Sequence, residues 1–112
     1  MNSTELLERR LTNQQLSTYR YSKPHEMVSW LSAVQSQDFS GAMWALSQRL
    51  NFLGKKQIEE AYNDGKILRT HVLRPTWHFV CPEDLIWMVE LSAERVKKMM
   101  GTYNKALGLD EE

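Results

Sequence analysis

Apolar residues recur at intervals of three and four along five stretches of the chain, and this spacing predicts five helices. The first is interpreted as a surface helix, because basic residues lie beside its apolar stripe. The predicted stripes, in chain order, are Leu6, Leu7 and Leu11; Met27, Trp30, Leu31 and Val34; Met43, Leu46 and Leu50; Ile58, Ala61 and Tyr62; and Leu85, Val89, Ala93, Val96 and Met100. The stripes of the second and third helices are expected to be buried in the core, and the last helix is expected to cover the core or to lead onward.

Residues with strong preferences for helix ends support the same five elements. Asn, Ser and Asp accept hydrogen bonds in the first turn, proline suits the first position, and glycine suits the C-terminal end. The predicted starts are Asn2 or Ser3, Ser22 with Pro24, Asp38 or Ser40, Lys55 and Pro82, and the predicted ends include Gly65 and Gly101. The second and third helices, joined by a few polar residues, are predicted to form a helix-turn-helix.

Two runs rich in β-branched and aromatic residues, 67–73 and 76–81, flank the turn signal Arg74-Pro75 and predict a β-hairpin. Helices followed by a hairpin predict a mainly α fold with a small β-hairpin, a winged helix-turn-helix, over residues 1–100. Residues 101–112 are predicted to be a C-terminal tail or the start of a following domain.

Length and charge limit what the chain does alone. Its 112 residues suffice for one domain. Lys and Arg total 14 and Asp and Glu total 14, so the net charge is zero. Since independent DNA-binding domains are usually basic, this balance counts against free-standing affinity for DNA. The segment 66–81, however, holds three basic residues and no acidic one, which favours local contact with phosphate.

Several classes of protein are disfavoured by what the chain contains. A single cysteine, Cys81, rules out an intramolecular disulfide and fits a reducing cytoplasm, the expected location. No apolar run approaches the ~20 residues that span a bilayer, so no membrane partner is expected. The histidines lack the spacing of a zinc site and there is no glycine-rich phosphate loop, so neither a metal nor another cofactor is expected.

Gln35 and Gln37 interrupt the apolar pattern after the second helix. Residues two apart do not face each other on a helix, but in an extended segment they project to the same side. Each amide offers an acceptor and a donor, which suits holding a water molecule or reading the edge of a base. Ordinary polar loop residues followed by the helix cap Asp38 would explain the same pattern.

Three segments of the chain occur in the same order as in one protein family. They are Val-Gln-Ser-Gln-Asp at 34–38, Ala-Leu-Ser-Gln-Arg-Leu at 45–50 and Leu-Arg-Pro-Thr-Trp-His-Phe-Val at 73–80. From about Leu7 to Val89 the chain resembles the first winged-helix domain of the AlkZ-like DNA glycosylases. Members of that family carry a Gln-x-Gln or Gln-x-Asp motif and, further along the chain, an Arg-Gly-Thr-Leu-His-like hairpin, which the segments of this chain resemble. This chain departs from it at Pro75, where glycine is usual, and at Trp77, where leucine is usual, and Pro75 restricts the hairpin turn.

The resemblance implies an enzyme of DNA repair that excises N-alkylated bases or unhooks interstrand crosslinks, with Gln35 and Gln37 as the catalytic pair. Arg69, Arg74 and His78 become hairpin candidates for DNA contact, and a structural hydrogen bond is the alternative role of His78. Because members of the family carry several tandem winged helices and a β-rich C-terminal part, the chain is expected to be a fragment of such an enzyme and inactive alone.

Two other functions are kept as alternatives. A plain DNA-binding winged helix would read the major groove with the third helix, through Trp44, Gln48 and Arg49. A protein-interaction module would fit the zero net charge and the four tryptophans. Duplex DNA is the expected partner in the glycosylase and groove-reading interpretations, and further domains of the same protein or a second copy are left open as additional partners.

Overall fold

A computed structural model describes residues 1–109, and the acidic residues 110–112 of the predicted tail lie outside the described part. The five predicted helices and the hairpin are confirmed, and a short additional strand, β1, lies between the second and third helices. The elements are α1 (Ser3–Asn13), α2 (Pro24–Leu31), β1 (Ala33–Gln35), α3 (Phe39–Arg49), α4 (Lys55–Asn63), β2 (Leu68–His71), β3 (Trp77–Val80) and α5 (Pro82–Ala106).

The three strands form one antiparallel sheet in the order β1-β3-β2. His78 in the central strand pairs with Gln35 on one side and with Thr70 on the other. Because β1 separates α2 from α3, the two helices joined directly by a short turn are α3 and α4, and the prediction of a helix-turn-helix from the second and third helices is corrected accordingly. The order of elements is consistent with a winged helix-turn-helix.

Two clusters of buried side chains lie on opposite faces of the sheet, since neighbouring residues of a strand point to opposite sides. Phe79 belongs to the cluster that packs on α2, α3 and α4, and Val80 belongs to the cluster that packs on α5. Met43, Leu46 and Leu50 are buried in the first cluster, as the stripe of the third helix predicts. Val34 also packs against that cluster, but from β1 instead of a helix.

Helix α1 matches its prediction, whereas α2 matches its prediction only in part. Asn2 and Glu5 form a reciprocal capping box with two 2.9 Å hydrogen bonds, and no residue of α1 is buried, so its surface position is confirmed. Pro24 begins α2 as predicted, but the N-cap is Lys23 and not Ser22. Trp30 is 45% exposed, which corrects its prediction as a core residue.

Helix α5 differs from its prediction in length and in buried face. Gly101 does not end it, because one glycine within a helix costs only about 1 kcal/mol and left-handed backbone first follows at Gly108, where φ is +71°. Its buried residues are Met88 and Ser92, whereas Val89 is 38% exposed. The Ser92 hydroxyl donates to the Met88 carbonyl and accepts from the Leu73 N–H at 3.0 Å, which links α5 to the hairpin.

Candidate functional site

The segment Gln35-Ser36-Gln37 runs from the end of the edge strand β1 toward the first turn of α3. Gln35 and Gln37 are exposed, whereas Ser36 between them is fully buried. This alternation is that of an extended chain, so both amides lie on the same side, as their spacing predicts. They share a shallow pocket of about 380 Å³, which is lined by Gln35, Gln37, Asp38, Gly41, Ala42 and Ala45.

The start of α3 forms the other wall of this pocket. Asp38 is the N-cap, and its carboxylate accepts a hydrogen bond from the Gly41 N–H at 3.0 Å. The carboxylate lies so close to the helix that a Cβ atom on Gly41 would be 2.7 Å from Asp38 Oδ2. Glycine at this position therefore allows the cap to close over the first turn beside the two glutamines.

The pairing between β1 and β3 changes at Ser36. Its N–H donates to the Trp77 carbonyl at 2.7 Å, as a regular antiparallel pair requires. The reciprocal donor, the Trp77 N–H, instead meets the side-chain Oε1 of Gln37 at 3.1 Å. The amide of Gln37 thus occupies the place on β3 that the Ser36 carbonyl would take in a continuous ladder.

This hydrogen bond orients the Gln37 amide. A backbone N–H can only donate, so the carbonyl oxygen of the amide must face Trp77 and the NH2 group must point away from it. The Gln35 amide, by contrast, has no hydrogen-bond partner within residues 1–109. The two glutamines therefore differ, because one amide is fixed by the sheet and the other is free to bind.

Arg69 holds the displaced carbonyl of Ser36. Its Nε and Nη2 atoms donate to that oxygen at 3.1 and 2.8 Å, and Nη2 also lies 3.3 Å from the Gln37 carbonyl. The guanidinium carbon lies 5.4 Å from the centre of the Phe39 ring and 4.9 Å from the centre of the Trp77 ring. Arg69, predicted as a DNA contact, thus belongs to an internal network, and its contact with DNA stays a prediction.

The side chain of Arg49 also makes internal contacts. Its Nε donates to the Gln14 carbonyl and its Nη1 to the Ala45 carbonyl, both at 2.9 Å. Burial lowers the pKa of Arg49 from its ordinary value. These bonds tie α3 to the segment after α1, and α4 occupies the second position of the helix-turn-helix, where groove-reading residues usually lie. A DNA contact by Arg49 stays a prediction.

The two remaining hairpin candidates have opposite surroundings. His78 is only 7% exposed, and its Nδ1 atom lies 2.9 Å from the Thr76 carbonyl. Because a carbonyl accepts, this bond requires a proton on Nδ1, which supports the structural role left open for His78. Arg74 is exposed in the hairpin loop, and its guanidinium makes no hydrogen bond to the described residues. Four residues are predicted to contact DNA, and Arg74 is the only exposed one among Arg49, Arg69, Arg74 and His78.

Sequence reasoning missed the roles of Ser36 and Trp77, which fasten the glutamine pair to β3. The only local signal was a small residue between two polar ones in an extended pattern.

The single cysteine, Cys81, is chemically inert, because its buried Sγ donates to the His25 carbonyl at 3.1 Å. Burial, with a smaller effect of Glu83 and Asp84, raises the pKa of this thiol to about 11. It is therefore protonated at neutral pH and is a poor nucleophile.

Residues 1–109, the part of the chain that the structure describes, contain neither a metal-binding cluster nor a membrane-spanning helix. No group of three or more His, Cys, Asp or Glu side chains in this part of the chain is arranged to hold a metal ion. None of the helices in the same range combines the length and the apolar character needed to cross a membrane.

Residues 28–112 match a family model described as DNA glycosylase AlkZ-like. The match covers most of the chain and includes both glutamines and the whole hairpin. The match begins later than the resemblance, which starts at Leu7, and it continues beyond Val89 through the rest of α5 and the residues that follow. No curated protein and no solved structure matches the chain.

Proposed function

The chain belongs to the AlkZ-like DNA glycosylase family, and we propose that it is the winged-helix part of an enzyme that excises N-alkylated bases from duplex DNA or unhooks interstrand crosslinks. The observation that carries the proposal is the placement of Gln35 and Gln37 on one side of an extended segment, where both line the same pocket. Exposed amides built into the edge of a sheet are not needed for the core.

The chemistry of the substrate explains how amides suffice. A purine alkylated at N7 is cationic, so it departs as a neutral base with the electron pair of the C1′–N9 bond and needs no strong acid. The transition state resembles an oxocarbenium ion, which is stabilised by dipoles and captured by a water placed at C1′. A glutamine does not ionise, so it positions this water, and the proton that the water loses goes to solvent.

The different surroundings of the two amides support different tasks. The carbonyl oxygen of Gln35, which has no partner within residues 1–109, accepts a hydrogen bond from the attacking water. The Oε1 atom of Gln37 is engaged by the Trp77 N–H, so its NH2 group donates to an oxygen of the sugar or phosphate. This division predicts that the two glutamines are not interchangeable.

Arg74 is the hairpin residue best placed to contact a phosphate, because it is exposed at the loop. Arg49, Arg69 and His78 would have to share or give up internal hydrogen bonds to do so. With 14 basic and 14 acidic residues, the chain offers few phosphate contacts, so its grip on duplex DNA requires further domains or a second copy. The chain alone is therefore expected to be inactive.

The test is release of N7-methylguanine from alkylated duplex DNA by the natural full-length protein. Gln35→Ala and Gln37→Ala are each expected to lower the single-turnover rate about 100-fold or more, the effect of removing one positioned dipole. The matched control is Gln48→Ala, which removes an amide of α3 that does not line the pocket. Wild-type rates in both pocket variants would refute the proposal, and loss of DNA binding only in the Gln48 variant would favour a groove-reading α3.

A further inference from the structure

The backbone of the segment Gln35-Ser36-Gln37 has an irregular conformation, and it is contacted by Arg69, which lies 33 positions after Ser36 in the sequence. At Ser36 one hydrogen bond of the β1–β3 ladder is made, and the other is replaced by the bond from the Trp77 N–H to Gln37 Oε1. The Ser36 carbonyl would otherwise accept from that N–H. Something must therefore keep this carbonyl away from β3.

Arg69 supplies the competing donors. Two of its guanidinium nitrogens converge on the Ser36 carbonyl at 3.1 and 2.8 Å, and one of them also reaches the Gln37 carbonyl at 3.3 Å. A planar fork with several N–H groups can bind two neighbouring carbonyls in one fixed geometry, which a single ammonium group cannot reproduce. The arginine therefore fits this position in a way that lysine does not.

The guanidinium is itself held in place before any substrate binds. Arg69 lies opposite Phe79 in the sheet, and its guanidinium packs near the rings of Phe39 and Trp77. His71, on the same face of β2, stacks on Trp77 with ring centres 4.1 Å apart. These contacts restrict the rotamers of Arg69, so the position of the Ser36 carbonyl is set by the hairpin.

We propose that Arg69 is a positioning residue for the glutamine pair: by holding the Ser36 carbonyl it leaves the Trp77 N–H to Gln37 and thereby orients the Gln37 amide toward the pocket. This inference rests on the proposed function. Without Arg69, the Ser36 carbonyl returns to the Trp77 N–H, the ladder closes, and the Gln37 side chain is released. The loss would then appear in the chemical step rather than in DNA affinity.

The test compares Arg69→Met, which fills similar space between the two rings, with Arg69→Lys, which keeps the charge. Both are expected to lower the single-turnover rate of N7-methylguanine release in the full-length protein by about 100-fold, as a misplaced catalytic group does. Arg95→Met, which removes an exposed charge from α5, is the control for the rate, and Arg74→Met, which removes the proposed phosphate contact from the same hairpin, is compared for DNA affinity only. DNA affinity should fall no more in Arg69→Met than in Arg74→Met.

A second measurement reports the position of Gln37 without any reaction. In NMR spectra of this chain, nuclear Overhauser contacts between the Gln37 side-chain NH2 group and Trp77 are expected in the wild type and in Arg74→Met. They should be absent in Arg69→Lys and Arg69→Met, whose amide shifts should approach those of Gln35. Near-ultraviolet circular dichroism confirms that the variants are folded, and Arg69→Lys carries the test if Arg69→Met is not.

Full activity of Arg69→Lys would show that only the charge matters and would overturn the inference. Wild-type rates in Arg69→Met together with inactive Gln37→Ala would overturn it as well, while leaving the proposed function intact. If the wild-type protein releases no base, the proposed function fails. In that case, unchanged Gln37 contacts in both Arg69 variants would overturn the positioning role, and lost contacts would support it.

Discussion

The two ends of the hairpin differ in how firmly they are held. The hairpin base, residues 68–71 and 77–80, contains Phe79, which is 1% exposed and packs edge-on against Phe39 with ring centres 5.7 Å apart. The hairpin tip, residues 73–76, is linked to α5 by the bond from the Leu73 N–H to Ser92 and presents Arg74 to solvent. The base contacts the segment that carries the two glutamines, through Arg69 and Trp77, whereas the tip leaves the Arg74 side chain exposed.

The largest effect is expected when the hairpin base loses its main core side chain. Phe79→Ala leaves a cavity between the sheet and the helices and is predicted to lower the free energy of unfolding by about 3–5 kcal/mol. Arg74→Ala at the tip should change it by no more than about 0.5 kcal/mol, because the side chain is exposed. Urea unfolding followed by circular dichroism measures both, and equal losses would contradict the division into base and tip.

An intermediate effect is expected beside the glutamine pair. Asp38→Ala removes the carboxylate that accepts from the Gly41 N–H and should lower the free energy of unfolding by about 1 kcal/mol. Asp38→Asn keeps an acceptor at the same place and serves as the control, with a smaller loss. If the two substitutions proved equally damaging in thermal unfolding, the charge of Asp38 and not its cap would be responsible.

The smallest effect, and one of opposite sign, is expected at the tip. Leu73 has a φ of +64°, in a region that is unfavourable for residues with a Cβ atom. Leu73→Gly should relieve this strain and, after the extra entropy of a glycine in the unfolded chain, raise the free energy of unfolding by less than about 1 kcal/mol. Leu73→Ala, which keeps the strain, is the control, and it should be less stable than Leu73→Gly.

Local signals predicted much of the fold. The cap at Asp38, the glycine at Gly65 with φ of +73°, and the proline that begins α5 each act on neighbours within a few residues. The hairpin was predicted for the same reason, from two β-forming runs around a turn. The same signals failed at β1, because three residues are too few to show a period of two and they followed a helix directly.

The sequence by itself therefore determined which stretches are helical, where the hairpin forms, and that Gln35 and Gln37 point to one side. The tertiary structure decided how the glutamines are held. It determined which hydrogen bond of the ladder is replaced and which basic side chains form hydrogen bonds within the protein. The physical reason is range. Propensities and caps depend on adjacent residues, whereas the bond from Arg69 to Ser36 joins groups 33 positions apart and exists only once the sheet has brought them within 2.8 Å.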